Sequence, residues 1–367
     1  MANNNIFNFT ANFVPFKEGG KMQTLTVKPE TGYKRLTMSL SDGKSNELVS
    51  LGKSVPKNGT IYVQLKDEAT DKYKFTPIKY EDRFNAEIVD NVNPFKKFVL
   101  ELDERKEFIF ESDFIDAVYE AITSGKFTGK KLFVSGEVER KRYNGKNQRN
   151  FIPQTIKYAH DEAQLQLAGR QSFIFDKDSL DTSMMKTDFK FELNGWVEYY
   201  SNDHKKNLMF PQTFVFDFSK VKETTDETLK KQQLGVVEYM KDKFTVRKDG
   251  YYEFGCEVAY VNGTEEKPLE LKDLSKDLQL QIELGITTLD QVRRDKKMIG
   301  EKKQEIRLVR PDNKAYEEVL VRELLTEEDF IIRDVVEVKS VEEAVKKEVE
   351  TPTVEVATDD LFASLLF

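Results

Sequence analysis

Short runs of alternating hydrophobic and polar residues dominate the first hundred positions, which is the pattern of half-buried β-strands. Pro, Gly, Asn and Asp separate these runs at spacings typical of β-sandwiches and barrels. The predicted strands are Phe7–Phe16, Met22–Val27, Arg35–Leu40, Ile61–Leu65, Tyr73–Tyr80 and Phe98–Leu102.

A helical period first appears at residues 112–124, where the apolar positions between Phe114 and Ile122 share one face. Ser112 is the predicted N-cap, and Gly125 stands where a left-handed residue commonly ends a helix. A β-rich stretch, one helix and then more strands is the order expected of a small Greek-key barrel with a helix between two strands.

The stretch from Leu132 to Tyr158 predicts a β-hairpin, because two alternating runs flank Asn144-Gly145, a preferred sequence for a type I′ turn. Between positions 130 and 158, eight Lys and Arg residues stand against two Glu residues, a net charge of +6. Such a hairpin would suit a single nucleic-acid strand, because its basic side chains can contact the phosphates and its aromatic rings can stack on the bases. The alternative is an ordinary solvated hairpin.

Part of this hairpin recurs later in the chain. The matching segments are 134–139 (VSGEVE) with 193–198 (LNGWVE), 151–155 (FIPQT) with 209–213 (MFPQT), and a weaker third copy at 254–263 (FGCEVAYVNG). We therefore predict two related hairpins. Gly within these strands predicts a bulge or a close backbone approach, and Pro153 and Pro211 are expected at edges or bulges.

The register of each hairpin decides which aromatic side chains face a ligand. In the second hairpin, Trp196 and Tyr200 are predicted to face outward, with Lys205 and Lys206 following in the loop. In the first hairpin, a strict two-residue turn places Phe151 on the core face, whereas a bulge or longer loop turns it outward.

The C-terminal half mixes helices and strands. Thr224 and Glu227 have the spacing of a capping box at the start of the first of these helices. The predicted elements are helices at 225–241, 275–284 and 288–294, a strand pair at 251–261 and a strand at 304–310. Beyond Ser340 no period is sustained, and this segment is predicted to be a flexible linker.

Composition narrows the class of protein. The 367 residues suffice for two or three domains, and an aromatic fraction of 11% argues against wholesale disorder. No apolar run approaches the length that spans a bilayer, and no secretory signal is recognisable. The single cysteine, Cys256, excludes an intramolecular disulfide, so we expect a cytoplasmic protein.

Charge is distributed unevenly. The net charge is −8, yet residues 316–367 contain fifteen acidic and five basic residues, which leaves about +2 for residues 1–315. Such asymmetry is typical of nucleic-acid contact or of an acidic interaction tail. The segment DDLFASLLF is predicted to dock in a basic-rimmed apolar pocket of a partner, the alternative being a helix packed on the body. Its docking residues are Asp359, Asp360, Leu361, Phe362, Leu366 and Phe367.

The patterns of common enzymes are missing from the sequence. Its two histidines, His160 and His204, stand in polar turns, and no zinc constellation, phosphate-binding loop, dinucleotide fingerprint or nucleophile elbow occurs. We therefore predict neither enzymatic activity nor a cofactor nor a metal.

A basic, aromatic β-barrel body followed by an acidic tail with a terminal Phe resembles the single-stranded DNA-binding proteins of bacteria and their phages. The resemblance covers residues 132–158, 190–218 and 340–367, and LFASLLF replaces the usual Pro-Phe ending. It implies a mainly β fold with a few helices, built from tandem OB-like Greek-key barrels. The implied domains are 1–165 with helix 112–124, 166–315, and an acidic linker and interaction tail at 316–367.

The resemblance also implies a non-enzymatic function in the bacterial or host cytoplasm. Such a protein coats single-stranded DNA with little sequence preference during replication, recombination and repair, and recruits partner proteins through its tail. The implied phosphate contacts are Lys130, Lys131, Arg140, Lys141, Arg142, Lys146 and Arg149, joined by Lys205 and Lys206; the stacking candidates are Tyr143, Phe151, Trp196 and Tyr200. Two other hypotheses stay open: a β-rich phage structural or assembly protein, and a metal-dependent nuclease.

Overall fold

The fold is mainly β, because the alternating runs of the sequence form strands, most of which join one large sheet while two form a separate hairpin. The computed structural model describes residues 5–17, 20–143, 146–201, 206–246, 250–264, 271, 274–289, 291–292, 302–311 and 317–319. Within these ranges, no helix has the length and apolar character needed to cross a membrane.

The N-terminal half confirms all the predicted strands and adds β4 and β8. Glu47 and Leu48 invert the alternation at the start of β4, which hides this strand in the sequence. The strands are β1 (Ile6–Val14), β2 (Leu25–Lys28), β3 (Tyr33–Ser41), β4 (Asn46–Ser54), β5 (Thr60–Asp67), β6 (Lys72–Lys79), β7 (Phe98–Glu101), β8 (Arg105–Phe108), β9 (Lys131–Tyr143) and β10 (Lys146–Tyr158). The helices are α1 (Ala86–Asn91) and α2 (Glu111–Thr123).

Among the described residues of this half, five strands close into a ring, which we call the first barrel. β1 pairs with β3, β3 with β4, β10 with β9, and β9 with β1, all antiparallel, while β4 and β10 run parallel. Helix α2 lies between the third and fourth strands of the ring, β4 and β9. A Greek-key ring with this helix is an OB-like barrel.

Alternation places one set of side chains inside the first barrel. Leu36, Met38 and Leu40 of β3 are fully buried, and Val49 and Leu51 continue this face on β4. Burying an apolar side chain of this size contributes about 1.5–3 kcal/mol relative to leaving it exposed. The residues between them face the outside of the barrel.

The C-terminal half repeats the arrangement. Its elements are β11 (Gln166–Phe175), β12 (Leu180–Asp181), α3 (Met185–Asp188), β13 (Lys190–Ser201), β14 (Lys206–Asp217), α4 (Glu227–Phe244), β15 (Tyr251–Thr264), α5 (Lys276–Glu283), β16 (Lys302–Pro311) and β17 (Glu317–Val319). The helix predicted at 288–294 lies partly outside the described residues, and the strand pair predicted at 251–261 is the single strand β15.

The described strands of this half also close into a ring, the second barrel. β11 pairs with β13, β13 with β14, β16 with β15, and β15 with β11, all antiparallel, while β14 and β16 run parallel. Helix α4 again lies between the third and fourth strands. The predicted mainly β fold with OB-like barrels is therefore confirmed, whereas the domain bounds at 165 and 315 stay predictions. β1 and β11 pair antiparallel and join the two rings.

Both long helices occur where they are predicted, but their first residues differ. α2 begins after Phe110, which makes no capping bond, and Ser112 is buried inside the first turn. Phe110 is itself buried, so packing fixes the entry to this helix. α4 is capped by Asp226, whose carboxylate accepts hydrogen bonds from the N–H groups of Thr228 and Leu229 at 2.8 and 2.9 Å. The predicted capping box is therefore wrong.

The basic hairpin is β9–β10. Tyr143 pairs with Lys146, and Phe151 pairs with Val138 on the core face, which is the register of the two-residue turn. Residues 144–145 themselves lie outside the described residues. The ladder shifts register after Pro153, as expected for a bulge.

The matching hairpins occupy different places in their barrels. β9 and β10 are the fourth and fifth strands of the first ring, whereas β13 and β14 are the second and third strands of the second. The weaker third copy lies in β15, which is the true counterpart of β9. A Cβ atom would stand 1.9 Å from the Ile152 carbonyl oxygen at Gly136, and 2.3 Å from that of Ile174 at Gly195. The repeated glycine thus reflects a shared local need for close backbone approach.

Candidate nucleic-acid interface

A groove of about 780 Å³ crosses the outside of the first barrel. Its floor is the outer face of β3, β4 and β10, and one wall is the β5–β6 hairpin, which we call the arm. The strands at the floor include the second and third of the ring, the surface on which OB folds bind oligonucleotides and oligosaccharides.

The position of the arm follows from the alternation of apolar and polar side chains along β5. Ile61 and Val63 are buried against Val92, Ile109 and Phe110, which form a small core beside the barrel. Because side chains alternate across a strand, the residues between Ile61 and Val63 and their partners on β6 face the other way. The arm is therefore anchored on one face and open on the other.

Two aromatic rings stand on the open face of the arm. Tyr62 pairs with Pro77 and Gln64 pairs with Phe75, so the two rings are diagonal neighbours across the hairpin. Tyr62 is 69% exposed and Phe75 is 71% exposed, and both line the groove. Solvent-exposed rings of this kind are suited to stacking on unpaired bases.

The floor of the groove is polar. The Arg35 guanidinium donates to the Ser50 hydroxyl at 3.2 Å, and Ser50 donates to the Asn150 side-chain oxygen at 2.6 Å. Gln148 and Gln154 of β10 add further amide groups to the lining. These groups offer both donors and acceptors, which is what base edges require.

Most of the cations that line the groove are ion-paired. Lys53 contacts Glu111 at 3.0 Å, and Lys96 contacts Glu137 at 2.8 Å. Arg35 has no ion pair among the described residues. Exposed pairs contribute little to stability, so Lys53 and Lys96 are free to exchange their carboxylates for phosphates. The groove is nearly balanced in charge before a ligand binds.

Arg149 also lines the groove, at the end where the two barrels meet. Its guanidinium donates to the Glu47 carboxylate at 3.0 Å and lies 4.7 Å from the ring centre of Tyr260 in the second barrel. Burial raises the pKa of Glu47, although the Arg149 charge and a hydrogen bond from Asn262 act in the opposite direction. This pair fixes Arg149 rather than leaving it free for a phosphate.

The remaining predicted phosphate contacts are scattered. Lys130 is exposed and lies outside the lining of the groove. Lys131 donates to the backbone carbonyls of Asp161 and Ala163 at 2.7 and 2.5 Å, so it holds a turn in place. Arg140 is only 3% exposed, and its role as a surface phosphate contact is wrong for this structure. Arg140 is two residues from Val138 on β9, so both side chains lie on the same, buried face of the strand.

Phe151 is a core residue of the first barrel, not a stacking platform. Its ring packs edge-on against Phe7, Phe9 and Tyr260 at centroid distances of 5.2, 4.9 and 4.8 Å. The two-residue turn of the hairpin decides this orientation.

Trp196 is likewise buried, being only 2% exposed, and the prediction that it faces solvent is wrong. It packs with Ile174, Met209 and Tyr251, and its ring lies 5.7 Å from that of Tyr251. Ile174 and Tyr251 come from β11 and β15, so they cover the face that the isolated β13–β14 hairpin would present to water.

Several predicted residues lie outside the described part of the structure. The backbone but not the side chain is described for Lys141, Arg142, Tyr143, Lys146, Tyr200 and Lys206. Neither is described for Lys205 or for the tail residues Asp359, Asp360, Leu361, Phe362, Leu366 and Phe367.

Tyr62 and Phe75 were not among the residues predicted from the sequence, although the sequence contains a signal for Tyr62. Tyr62 is out of phase with Ile61 and Val63, so a strand whose core face is already apolar carries an aromatic ring on its other face. A single exposed ring is ordinary, but two rings on the same face of one hairpin form an exposed apolar patch, and such patches mark binding surfaces.

Comparisons with known proteins add little to this description. No protein-family model matches the sequence, and no curated protein matches it. Among solved structures, the chain is similar to a deletion mutant of the single-stranded DNA binding protein from Thermus aquaticus, at 10% sequence identity and a TM-score of 0.28. The match covers 70% of this chain and 85% of that chain. The OB-like assignment therefore rests on the strand order and not on this similarity.

Proposed function

We propose that the chain binds single-stranded DNA along the groove of the first barrel. The observation that carries this proposal is the pair of exposed rings, Tyr62 and Phe75, on one face of the arm beside a polar floor. Stacking requires unpaired bases and tolerates any sequence, because every base has a flat face. The proposal therefore concerns single strands with little sequence preference.

The charge balance of the groove indicates how the strand lies. Lys53 and Lys96 are paired on the rim, while the floor around Asn150 offers hydrogen bonds. We infer that bases face the arm and the floor, and that phosphates lie toward the rim. Each phosphate neutralised on a single strand contributes about −0.7 to the salt slope. The three described cations of the groove that are not fixed by Glu47, which are Arg35, Lys53 and Lys96, then account for a slope of about −2 at most.

The decisive experiment is a fluorescence-anisotropy titration of labelled oligo-dT. Tyr62→Ala and Phe75→Ala are each expected to weaken binding roughly 5- to 150-fold, because one stacked base is worth about 1–3 kcal/mol. The matched control is Phe84→Ala, since Phe84 is 65% exposed on the same half of the chain but outside the groove. A parallel titration of oligo-rU measures the preference for DNA.

Two outcomes would contradict the proposal. If the wild-type protein fails to bind oligo-dT at low salt, the hypothesis of a structural or assembly protein takes precedence. If it binds but tolerates both substitutions, the strand lies elsewhere and the groove is not the site.

Recruitment of replication or recombination proteins by residues 316–367 is a further proposal, supported by the acidic composition and the DDLFASLLF segment. The same titration with a chain that ends at Ser340 tests one part of it. Tighter binding without the tail is expected if the acidic segment competes with DNA for the groove. Unchanged binding would show that the tail does not compete with DNA for the groove. Recruitment would then be tested with partner proteins.

A further inference from the structure

Arg35 stands on the floor of the groove with most of its guanidinium unused. The residue is exposed on β3 and lines the groove. Its Nη2 donates to the Ser50 hydroxyl at 3.2 Å, whereas Nε and Nη1 make no hydrogen bond within the described part of the chain. One bond thus holds the guanidinium in place, and the remaining N–H donors stay available to a ligand.

The neighbouring amide of Asn150 has a fixed orientation. Its Oδ1 accepts from the Ser50 hydroxyl at 2.6 Å, so its NH2 group is the donor on this part of the floor. Ser50 itself is only 4% exposed, and its hydroxyl bonds to both neighbours. The chain from Arg35 through Ser50 to Asn150 therefore presents N–H donors at both ends.

An aromatic ring lies beside these donors. Tyr33 precedes Arg35 by two residues on the same face of β3, and its ring lies over Gly52, the cross-strand partner of Arg35. A Cβ atom at Gly52 would stand 2.9 Å from the ring carbon Cζ of Tyr33, so glycine leaves room for the ring in this position. Tyr33 is half-exposed and lines the groove, which places a stacking surface next to the guanidinium.

Carboxylates on the same floor favour a base over a phosphate as the ligand of Arg35. Glu139 stands on β9 directly opposite Asn150, and Glu137 precedes it by two residues on the same face. Both line the groove. A phosphate on the floor would meet their negative charge, whereas the neutral edge of a base would not.

We propose that Tyr33, Arg35 and Asn150 form a subsite for guanine on the floor of the groove. One edge of guanine offers two adjacent acceptors, O6 and N7, which match the donors of an arginine fork, whereas adenine carries a donor beside its N7. The inference rests on the proposed function and deepens it. A strand of any sequence binds by stacking, and it gains affinity where a guanine reaches this subsite.

An anisotropy titration of the full chain with labelled oligo-dT tests the proposal when one central base is replaced by guanine, hypoxanthine, 7-deazaguanine or adenine. Hypoxanthine keeps O6 and N7, 7-deazaguanine lacks N7, and adenine controls for the stacking of any purine. We expect the guanine and hypoxanthine strands to bind roughly 5- to 150-fold more tightly than the adenine strand, the range for one bidentate arginine contact. The 7-deazaguanine strand should lose most of this gain.

Two variants separate a base contact from a phosphate contact. Arg35→Met removes the donors but keeps an apolar side chain, and it is expected to bind the guanine and adenine strands equally. Lys53→Met removes a cation from the rim of the same groove, and it is expected to lower both affinities but to keep their ratio. The salt slope for oligo-dT should fall by about 0.7 in Lys53→Met and stay unchanged in Arg35→Met.

Three outcomes would overturn the subsite. Equal affinity of the wild type for the guanine and adenine strands would do so while leaving DNA binding in the groove intact. A smaller salt slope in Arg35→Met would make Arg35 a phosphate contact. If oligo-dT and all its substituted forms fail to bind, the proposed function fails and the guanine subsite fails with it.

Discussion

The first and second barrels share a strand order but differ in the segment that joins the third strand to the helix. In the first barrel, residues 55–110 form the arm, α1, β7 and β8. In the second, residues 218–226 contain only a short 3₁₀ turn at Ser219–Lys222. The candidate site thus lies where an insertion meets the common scaffold. A shared barrel supplies stability, and its connections supply a site.

The two barrels also differ in the pKa of a carboxylate that is paired with an arginine at the same place in each ring. In each, the parallel contact between the third and fifth strands carries an acid and an arginine: Glu47 with Arg149, and Asp217 with Arg307 at 2.9 Å. Burial raises the pKa of Glu47. Burial also acts to raise the pKa of Asp217, but bonds from Ser219 and the Arg307 charge outweigh it and lower the pKa.

The largest effect is expected for the glycines that bring strands together. Gly136→Ala in the first barrel and Gly195→Ala in the second each force a methyl group into a backbone carbonyl. We expect each to lower the free energy of unfolding on the order of 4–5 kcal/mol, measured by urea denaturation. Gly235→Ala in α4 is the control, because nothing lies within 4 Å of its added Cβ. It should stabilise the protein by about 0.5–1 kcal/mol. If either strand variant were as stable as the wild type, the close backbone contact at that glycine would not exist in solution.

Trp196→Ala contrasts the buried ring of the second barrel with the exposed rings of the arm. Loss of this side chain from its cluster is expected to lower the free energy of unfolding by about 3–5 kcal/mol, as for other buried aromatic residues. Affinity of the folded fraction for oligo-dT should not change. A stable Trp196→Ala protein with weakened binding would reverse the assignment and make Trp196 a stacking residue.

The smallest effect is a difference in pH dependence between the acid pairs. The folded pKa of Asp217 lies below its ordinary value of 3.8, so its contribution is present at neutral pH and is lost as the pH falls through the folded pKa. Asp217→Asn should therefore lower the free energy of unfolding by about 1–2 kcal/mol at pH 7 and by less in acid.

Glu47→Gln is the counterpart in the first barrel. Because the folded pKa of Glu47 lies above 4.5, protonation favours the folded state, and the wild type gains stability relative to the variant as the pH falls toward 4.5. Urea denaturation of the wild type and of both variants between pH 7 and about pH 3 measures the two slopes, because the contribution of Asp217 is lost mainly below its ordinary pKa of 3.8. Slopes of the same sign would show that the two contacts do not differ in the way the structure describes.

The sequence by itself determined the local elements. Alternation located most strands of the first barrel, and Asn144-Gly145 located the β9–β10 hairpin but left open whether Phe151 faces inward or outward. The amphipathic run before Gly125 located α2. These features depend on backbone geometry and near neighbours, so a single sequence contains the information that specifies them.

Only the tertiary structure decided which faces are covered. Alternation divides a strand into two faces, but Trp196 is buried because Ile174 and Tyr251 arrive from strands distant in sequence. Arg140 is buried because the second barrel packs against the end of the first. Tyr62 remains exposed because the arm buries its opposite face. Burial is a property of pairs of elements, and long-range packing alone assigns the partners.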